Sequence, residues 1–248
     1  MAPLLSNLTI SSSFIADLEE KDLQVIDQIS DFIKETKTIQ LTSFGATGMV
    51  IIDMLSKVNL LNRIPLVFID TLHHFPETYE LVEEVKRKYP EIDLRIYKPR
   101  GCETREDFEK KFGAELWKTM PTKYGYYTKA EPRDRAMAEL GVKAYINGRR
   151  RTQGEKRGDL NFFEEDEELN IIRVQPLCDW TYADVWAYVR KHSVPTNVLH
   201  TKGYKSIGDF MTTVPVGEWE DERAGRWKGT NQTECGLHIS PSSLASLV

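Results

Sequence analysis

Cys235 stands in Glu234-Cys235-Gly236-Leu237-His238, just after the basic run Glu222-Arg223-Ala224-Gly225-Arg226-Trp227-Lys228-Gly229. Neighbouring cations lower a thiol pKa and attract an anionic substrate, and glycines give the sulfur room to reach it. The competing reading is a free cysteine that fills apolar space, but the flanking residues are too polar for that. His238, three residues on, is a candidate to tune the thiol or to touch a partner. A second group with chemistry in it is Ser43-Phe44-Gly45-Ala46-Thr47-Gly48. Small residues there let amide N–H groups and hydroxyls converge on an anion at a helix N-terminus. The loop lacks the lysine and following Ser/Thr of a Walker A motif and is not GxGxxG, so a plain tight turn remains its alternative.

These loops need a scaffold, and the apolar pattern supplies one. Helical spacing of Leu18, Leu23, Ile26, Ile29 and Ile33 predicts a helix from Asp17 to about Glu35. Short apolar strands are expected at Ile39–Phe44, Pro65–Ile69, Leu94–Lys98, Val142–Ile146 and Ile171–Val174. Helices are expected between them, at Met49–Leu61, Glu77–Lys88, Thr104–Phe112 and Glu131–Leu140, and then at Tyr182–His192. Alternating strands and helices predict an α/β fold, a doubly wound, mostly parallel sheet covered on both faces. In such sheets ligands bind beyond the carboxyl ends of the strands. That edge is where Asp70-Thr71-Leu72-His73-His74, Lys98-Pro99-Arg100-Gly101 and Gly148-Arg149-Arg150 are expected to emerge. Asp70, Thr71, His73, Gly148, Arg149 and Arg150 therefore join the loop residues as candidate nucleotide or phosphate ligands. For Arg149-Arg150-Arg151 the alternative is a solvated basic turn balancing the acidic run Glu164 to Glu168. Beyond Pro195 periodicity is lost, which predicts an irregular functional arm. The expected organisation is a helical segment over 1–38, a nucleotide-binding α/β domain over 39–195, and the arm over 196–248.

Composition narrows the classes. The chain has 248 residues, 40% hydrophobic and 29% charged, as in ordinary soluble proteins. A net charge of −5 gives no general case for nucleic-acid binding, so anion sites must come from local clusters. Three scattered cysteines, Cys102, Cys178 and Cys235, form no CxxC pair and no disulfide framework. Cys102 and Cys178 read as structural. No apolar stretch is long enough to span a bilayer, and the first residues do not read as a signal peptide. The expectation is a cytoplasmic protein with no bound metal.

The motifs also occur in a specific order. Ser-x-Gly-Ala-Thr-Gly follows the first strand, Asp-Thr-x-x-x-x-Pro-Glu-Thr the second, and Gly-Arg-Arg a later one. Glu-Arg-x-Gly-Arg-Trp and Glu-Cys-Gly-Leu-His close the series. From about Gln40 to His238 this resembles the 3′-phosphoadenylyl-sulfate (PAPS) reductases, closest to the fungal type. The resemblance implies an adenine nucleotide alpha hydrolase-like fold with a modified pyrophosphate loop. It implies reduction of PAPS by thioredoxin to sulfite and adenosine 3′,5′-bisphosphate, with Cys235 as nucleophile and usually a homodimer. It further implies that Lys129, Arg223 and Arg226 surround the sulfate. On residue types alone, Arg223 and Arg226 could instead pair with Glu218, Glu220, Asp221 and Glu222, and Lys129 could be a solvated loop lysine.

The chemistry fits the residues. Thiolate attack on the sulfuryl sulfur would leave an S-sulfonate on Cys235, and a second thiol attacking that Sγ would expel sulfite. No other cysteine lies near Cys235, so an external dithiol is needed. One departure from a neighbouring branch matters. The adenylyl-sulfate (APS) reductases that bind a [4Fe–4S] cluster use four cysteines. The matching positions here are Tyr124, Gly125, Asp209 and Thr212, none a thiol. A cluster-free APS reductase stays open, as does, in another class, an ATP-using adenylyltransferase of the same fold or a nucleotide-binding regulator.

Overall fold

A computed structural model of the chain describes residues 19–154, 157–167, 169–228, 236, 237 and 239. Helix α1 (Glu20–Glu35) buries Ile26, Ile29 and Ile33 of the expected stripe, together with Val25; Leu23 is half-buried and Leu18 lies outside the described residues. Strand β1 (Thr38–Thr42) is buried along its whole length and leads into helix α2 (Ala46–Lys57). The strand was expected to run to Phe44. It ends two residues earlier because the Thr42 hydroxyl accepts the Phe44 N–H at 2.9 Å and Phe44 turns to a positive φ of 56°.

Next come β2 (Leu66–Ile69), α3 (Pro76–Lys88), β3 (Leu94–Tyr97) and α4 (Arg105–Phe112). Two short helices, α5 (Leu116–Thr119) and α6 (Pro121–Gly125), run into a π-helical turn, Tyr126–Ala130, and then α7 (Glu131–Leu140). Strand β4 (Ala144–Ile146), the hairpin strands β5 (Phe163–Asp166) and β6 (Ile171–Val174), and α8 (Tyr182–His192) complete the regular structure. The six strands lie in the order β3-β2-β1-β4-β6-β5. β1 pairs β4 and β4 pairs β6 in parallel, whereas β5 is antiparallel to β6. The fold is therefore the expected mostly parallel α/β sheet, with one antiparallel edge strand that was not expected. That strand falls in the acidic run. Glu164 and Asp166 face Arg173 of β6, at 3.8 and 3.0 Å, rather than the basic turn.

Two compact units are interleaved along the chain. The first comprises residues 1–66, 80–95 and 142–197, and the second 67–79, 96–141 and 198–248. The core of the first holds Ile39, Met49, Val50, Ile51, Ile52, Tyr145 and Ile146, all without solvent contact. The second is centred on Cys102, Phe108, Leu116 and Tyr124, flanked by Phe112, Tyr127 and Met211. Its last segment is irregular, as expected, with 3₁₀ turns at Val198–Lys202 and Phe210–Thr212.

Candidate active site

In the first unit the glycine loop delivers the chain from β1 into α2. Gly45 is the N-cap residue and brings no side-chain acceptor to the first turn of the helix. Helix N–H groups in that position, with the positive end of the dipole behind them, favour an anion. Ser43 is exposed beside Phe44, which is buried, and Thr47 is buried inside the first turn of α2. The Gln40 side chain reaches over from β1 to donate to the Gly48 carbonyl at 2.9 Å.

The Gly148-Arg149-Arg150 turn follows β4 and meets that helix end directly. A Cβ on Gly148 would stand 3.0 Å from the Gly48 nitrogen and 3.1 Å from the Thr47 Cβ, so a larger residue there would have to push the start of the helix back by a few tenths of an ångström. Arg150 is 2% exposed; its Nε donates to Thr47 Oγ1 at 3.1 Å and its Nη1 to Thr152 Oγ1 at 2.9 Å. Arg149 is fixed through its backbone, whose N–H donates to Asn147 Oδ1 at 3.0 Å. Sequence reasoning set these two loops side by side, and they are in contact. Arg151 belongs elsewhere, ion-paired with Asp179.

The second unit holds Asp70, Thr71, His73 and the cations. Asp70 Oδ1 accepts the Leu72 N–H at 2.9 Å and the Tyr79 hydroxyl at 2.8 Å, an Asx-type turn that lets Leu72 adopt a φ of 63°. His73 is 2% exposed, its Nδ1 is 2.7 Å from the Thr71 carbonyl, and its ring is caged by Phe108 and Tyr124. Burial pushes its pKa down, which favours the neutral ring.

Lys129 lies in the π-helical turn, a distortion that recurs at functional sites. It is not a solvated loop lysine. Its ammonium, on a side chain 11% exposed, pairs with Asp209 and stands 5.2 Å from the Tyr124 ring. Burial alone would raise the Asp209 carboxyl. The charges of Lys129 and His74, with hydrogen bonds from Lys129 and Thr71, outweigh it and hold that carboxyl far below the usual range. Thr71 Oγ1 donates to Asp209 Oδ1 at 2.7 Å. Sequence reasoning missed this partner of Lys129. Its signal is there: Asp209 is the sole charge in Ser206-Ile207-Gly208-Asp209-Phe210-Met211-Thr212.

Arg226 lays its guanidinium over Trp227, 4.5 Å from the ring, and donates to Ser206 Oγ and the Ile207 carbonyl, both at 3.2 Å. The Arg223 guanidinium stands 5.6 Å from the centre of the same ring, and the Arg223 backbone N–H donates to Asp221 Oδ1 at 2.8 Å. Lys228 pairs with Glu220, at 3.4 Å. Cys235 and His238 lie outside the described residues. Their neighbours Gly236 and Leu237 are placed: a Cβ on Gly125 would stand 3.1 Å from the Gly236 Cα, and Arg133 Nη1 donates to the Leu237 carbonyl. Cys102 and Cys178 are buried, and burial raises both thiols, which disfavours the thiolate.

Residues 37–215 match the phosphoadenosine phosphosulfate reductase domain. The chain belongs to the phosphoadenosine phosphosulfate reductase family. It is 50% identical over 208 residues to the phosphoadenosine phosphosulfate reductase of Emericella nidulans, covering 83% of this chain and 68% of that protein. It is 39% identical over 240 residues to adenosine 5′-phosphosulfate reductase 2 of Bacillus subtilis, covering 94% of this chain and 99% of that one. Among solved structures, the phosphate complex of phosphoadenylyl-sulfate reductase from Candida auris superposes with a TM-score of 0.69. That match has 41% identity and covers 84% of this chain and 99% of the other.

The cluster of the APS branch was tested against the residues present. Tyr124, Gly125, Asp209 and Thr212 offer a phenol, no side chain, a carboxylate and a hydroxyl, and the carboxylate is already held by Lys129 and Thr71. This donor set does not fit an iron–sulfur cluster. Among the described residues no group of three or more His, Cys, Asp or Glu side chains is arranged to hold a metal ion. Nor is any described helix long and apolar enough to cross a membrane.

Proposed function

We propose that this chain reduces PAPS to sulfite and adenosine 3′,5′-bisphosphate at the expense of reduced thioredoxin, as part of sulfate assimilation in the cytoplasm, and that it acts as a homodimer. The observation that carries the reading is the family match across residues 37–215. Ser43 to Gly48, with Asp70, Thr71 and His73, are assigned to the nucleotide, and Gly148, Arg149 and Arg150 to its phosphates. Lys129, Arg223 and Arg226 are assigned to the sulfate. Fixed cations stabilise the charge that builds on a leaving phosphate oxygen, and each of these three side chains is held by neighbours rather than loose in solvent.

In the first step the Cys235 thiolate attacks the sulfuryl sulfur. An S–S bond forms, the S–O bond to the nucleotide breaks, and the electron pair leaves on the phosphate oxygen. In the second, a thioredoxin thiolate attacks Cys235 Sγ and sulfite departs; the second thioredoxin thiol then resolves the mixed disulfide and frees Cys235. His238 is assigned to tuning of the thiol or contact with thioredoxin.

Mass spectrometry of the protein mixed with PAPS, without thioredoxin, tests this. The peptide containing Cys235 should gain one SO3, reduced thioredoxin should discharge it as sulfite, and Cys235→Ser should do neither while still binding adenosine 3′,5′-bisphosphate. Modification at Cys102 or Cys178, or turnover by the serine variant, would overturn the mechanism. The Bacillus relative keeps a second reading in view, a cluster-free APS reductase. Repeating the experiment with APS decides it: preferential sulfonation by APS selects that reading, and preferential sulfonation by PAPS rejects it.

A further inference from the structure

Asp209 is a buried carboxylate to which the chemistry above gives no task, yet the second unit invests several contacts in fixing it. The residue sits on an isolated antiparallel bridge with His74, flanked by the Phe210 N–H donating to the His73 carbonyl at 2.9 Å. The Thr212 N–H donates to the Asp209 carbonyl at 3.1 Å. Its side chain is 2% exposed. One carboxylate oxygen receives Thr71 Oγ1 at 2.7 Å and the other receives the Lys129 ammonium, so neither can swing without losing a charge-assisted bond. Near the pair stand the Tyr124 ring, His74 and His73, whose ring meets that of Tyr124 edge-on at 5.4 Å. The Tyr124 phenol is pushed up by burial and then by the Asp209 charge, so it stays neutral and does not compete for the ammonium.

A lysine stem has four rotatable bonds, and a π-helical turn does not restrain its tip. A carboxylate clamped from the other side does. From this geometry we propose that Asp209 is the positioning residue for Lys129. It holds the ammonium in place in the free protein and keeps it there when the anionic group of the substrate arrives. The proposal rests on the assignment of Lys129 to the sulfate.

The consequence is opposed effects on binding and rate. Asp209→Asn removes a negative charge next to an anion site, so substrate should bind no more weakly, with KM unchanged or lower. The released ammonium is no longer aimed, so kcat should fall by about tenfold or more. A residue with a merely structural role would lose binding and rate together. Lys129→Met should lower both kcat and substrate affinity. In the Lys129→Met background, adding Asp209→Asn should cost no further rate, because Asp209 acts only through Lys129.

Steady-state kinetics of the three variants with PAPS and reduced thioredoxin separate the possibilities. If Lys129→Met behaves as the parent, the assignment of Lys129 to the sulfate fails. If Lys129→Met is slow but Asp209→Asn keeps the parental kcat, the assignment stands and the positioning role is overturned. Should Asp209→Asn not fold, the double variant decides alone. Both charges are then gone, which a buried site tolerates better than a single orphan. A kcat equal to that of Lys129→Met supports the role, and a further tenfold fall overturns it.

Discussion

Arg150 joins the two loops of the first unit, so its replacement by methionine tests how the edge assigned to the phosphates is built. Methionine keeps most of the apolar stem and fills most of the space, which leaves the hydrogen bonds as the main loss. The guanidinium donates to Thr47 Oγ1 at 3.1 Å, Thr152 Oγ1 at 2.9 Å and the Trp180 carbonyl at 3.4 Å. The last is weak, and that carbonyl also accepts the Thr152 hydroxyl at 3.3 Å, so it stays satisfied. The bonds to Thr47 and Thr152 are charge-assisted, each worth about 1.5–3 kcal/mol net, less what is recovered by no longer burying a cation. About 3 kcal/mol is the expected cost, or a fall in Tm of roughly 6–12 °C for a chain of this size. The Thr47 hydroxyl lies in the first turn of α2, so the same change should weaken adenosine 3′,5′-bisphosphate binding by about tenfold, which is about 1.4 kcal/mol. Thermal melts with and without the nucleotide, together with titration calorimetry, measure both. A melt within about 2 °C of the parent and an unchanged Kd would refute the idea that Arg150 braces this edge.

Gly208→Ala should reproduce the kinetic defect of Arg226→Ala, because a Cβ there would overlap the Arg226 guanidinium and drive it off Ser206 and Ile207. Loss of one fixed cation should slow sulfonation of Cys235 by roughly one to two decades; a normal rate in Gly208→Ala beside a slow Arg226→Ala would show that the observed arginine placement is not the working one. Acid stability should depend on Asp184, whose carboxyl is drawn down to about 2 by hydrogen bonds from Lys21 and then from Thr181. A depressed carboxylate stabilises the fold above its unfolded pKa of 3.8 and loses that contribution as pH falls toward 2. Urea midpoints between about pH 5 and pH 2 should therefore fall less steeply in Asp184→Asn than in the parent, and parallel curves would contradict this.

The sheet was legible because its elements carry strong patterns. β1, β2 and β4 are short fully buried runs, and α2 is apolar on most faces because Met49 to Leu55 are enclosed, Asp53 included. Helix α8 runs over the expected Tyr182–His192 and starts on a capping box, with Thr181 accepting the Asp184 N–H at 3.1 Å. The failures have physical reasons. β5 reads Phe-Glu-Glu-Asp, and its charges suit a strand only because Arg173 on β6 compensates them across the hairpin. The stretch from Leu116 to Ala130 breaks into single helical turns and a π-turn, too short for any period to emerge. Nor does periodicity report the division into two interleaved units, since each unit gathers segments far apart in the chain.

Site residues were legible in proportion to how local their signal is. Ser43 to Gly48 and Gly148 to Arg150 are each a loop at a strand end, so the strand pattern alone placed them, and only their mutual contact needed the fold. Lys129 was different. In sequence it is one lysine in a run of tyrosines, and its candidacy came from likeness to a family. Its environment is made by a carboxylate 80 residues further on, brought in from the irregular last segment. The same segment carries Gly208, whose missing side chain makes room for the Arg226 guanidinium. Irregular chain has no period to read. Its order comes from one-off partnerships: Asp209 with Lys129 and Thr71, Trp227 with the Thr212 carbonyl, and Arg226 with Ser206. A segment stabilised in that way can fix a cation such as Arg226 without a helix or strand to carry it, and each partnership is correspondingly exposed to a single substitution.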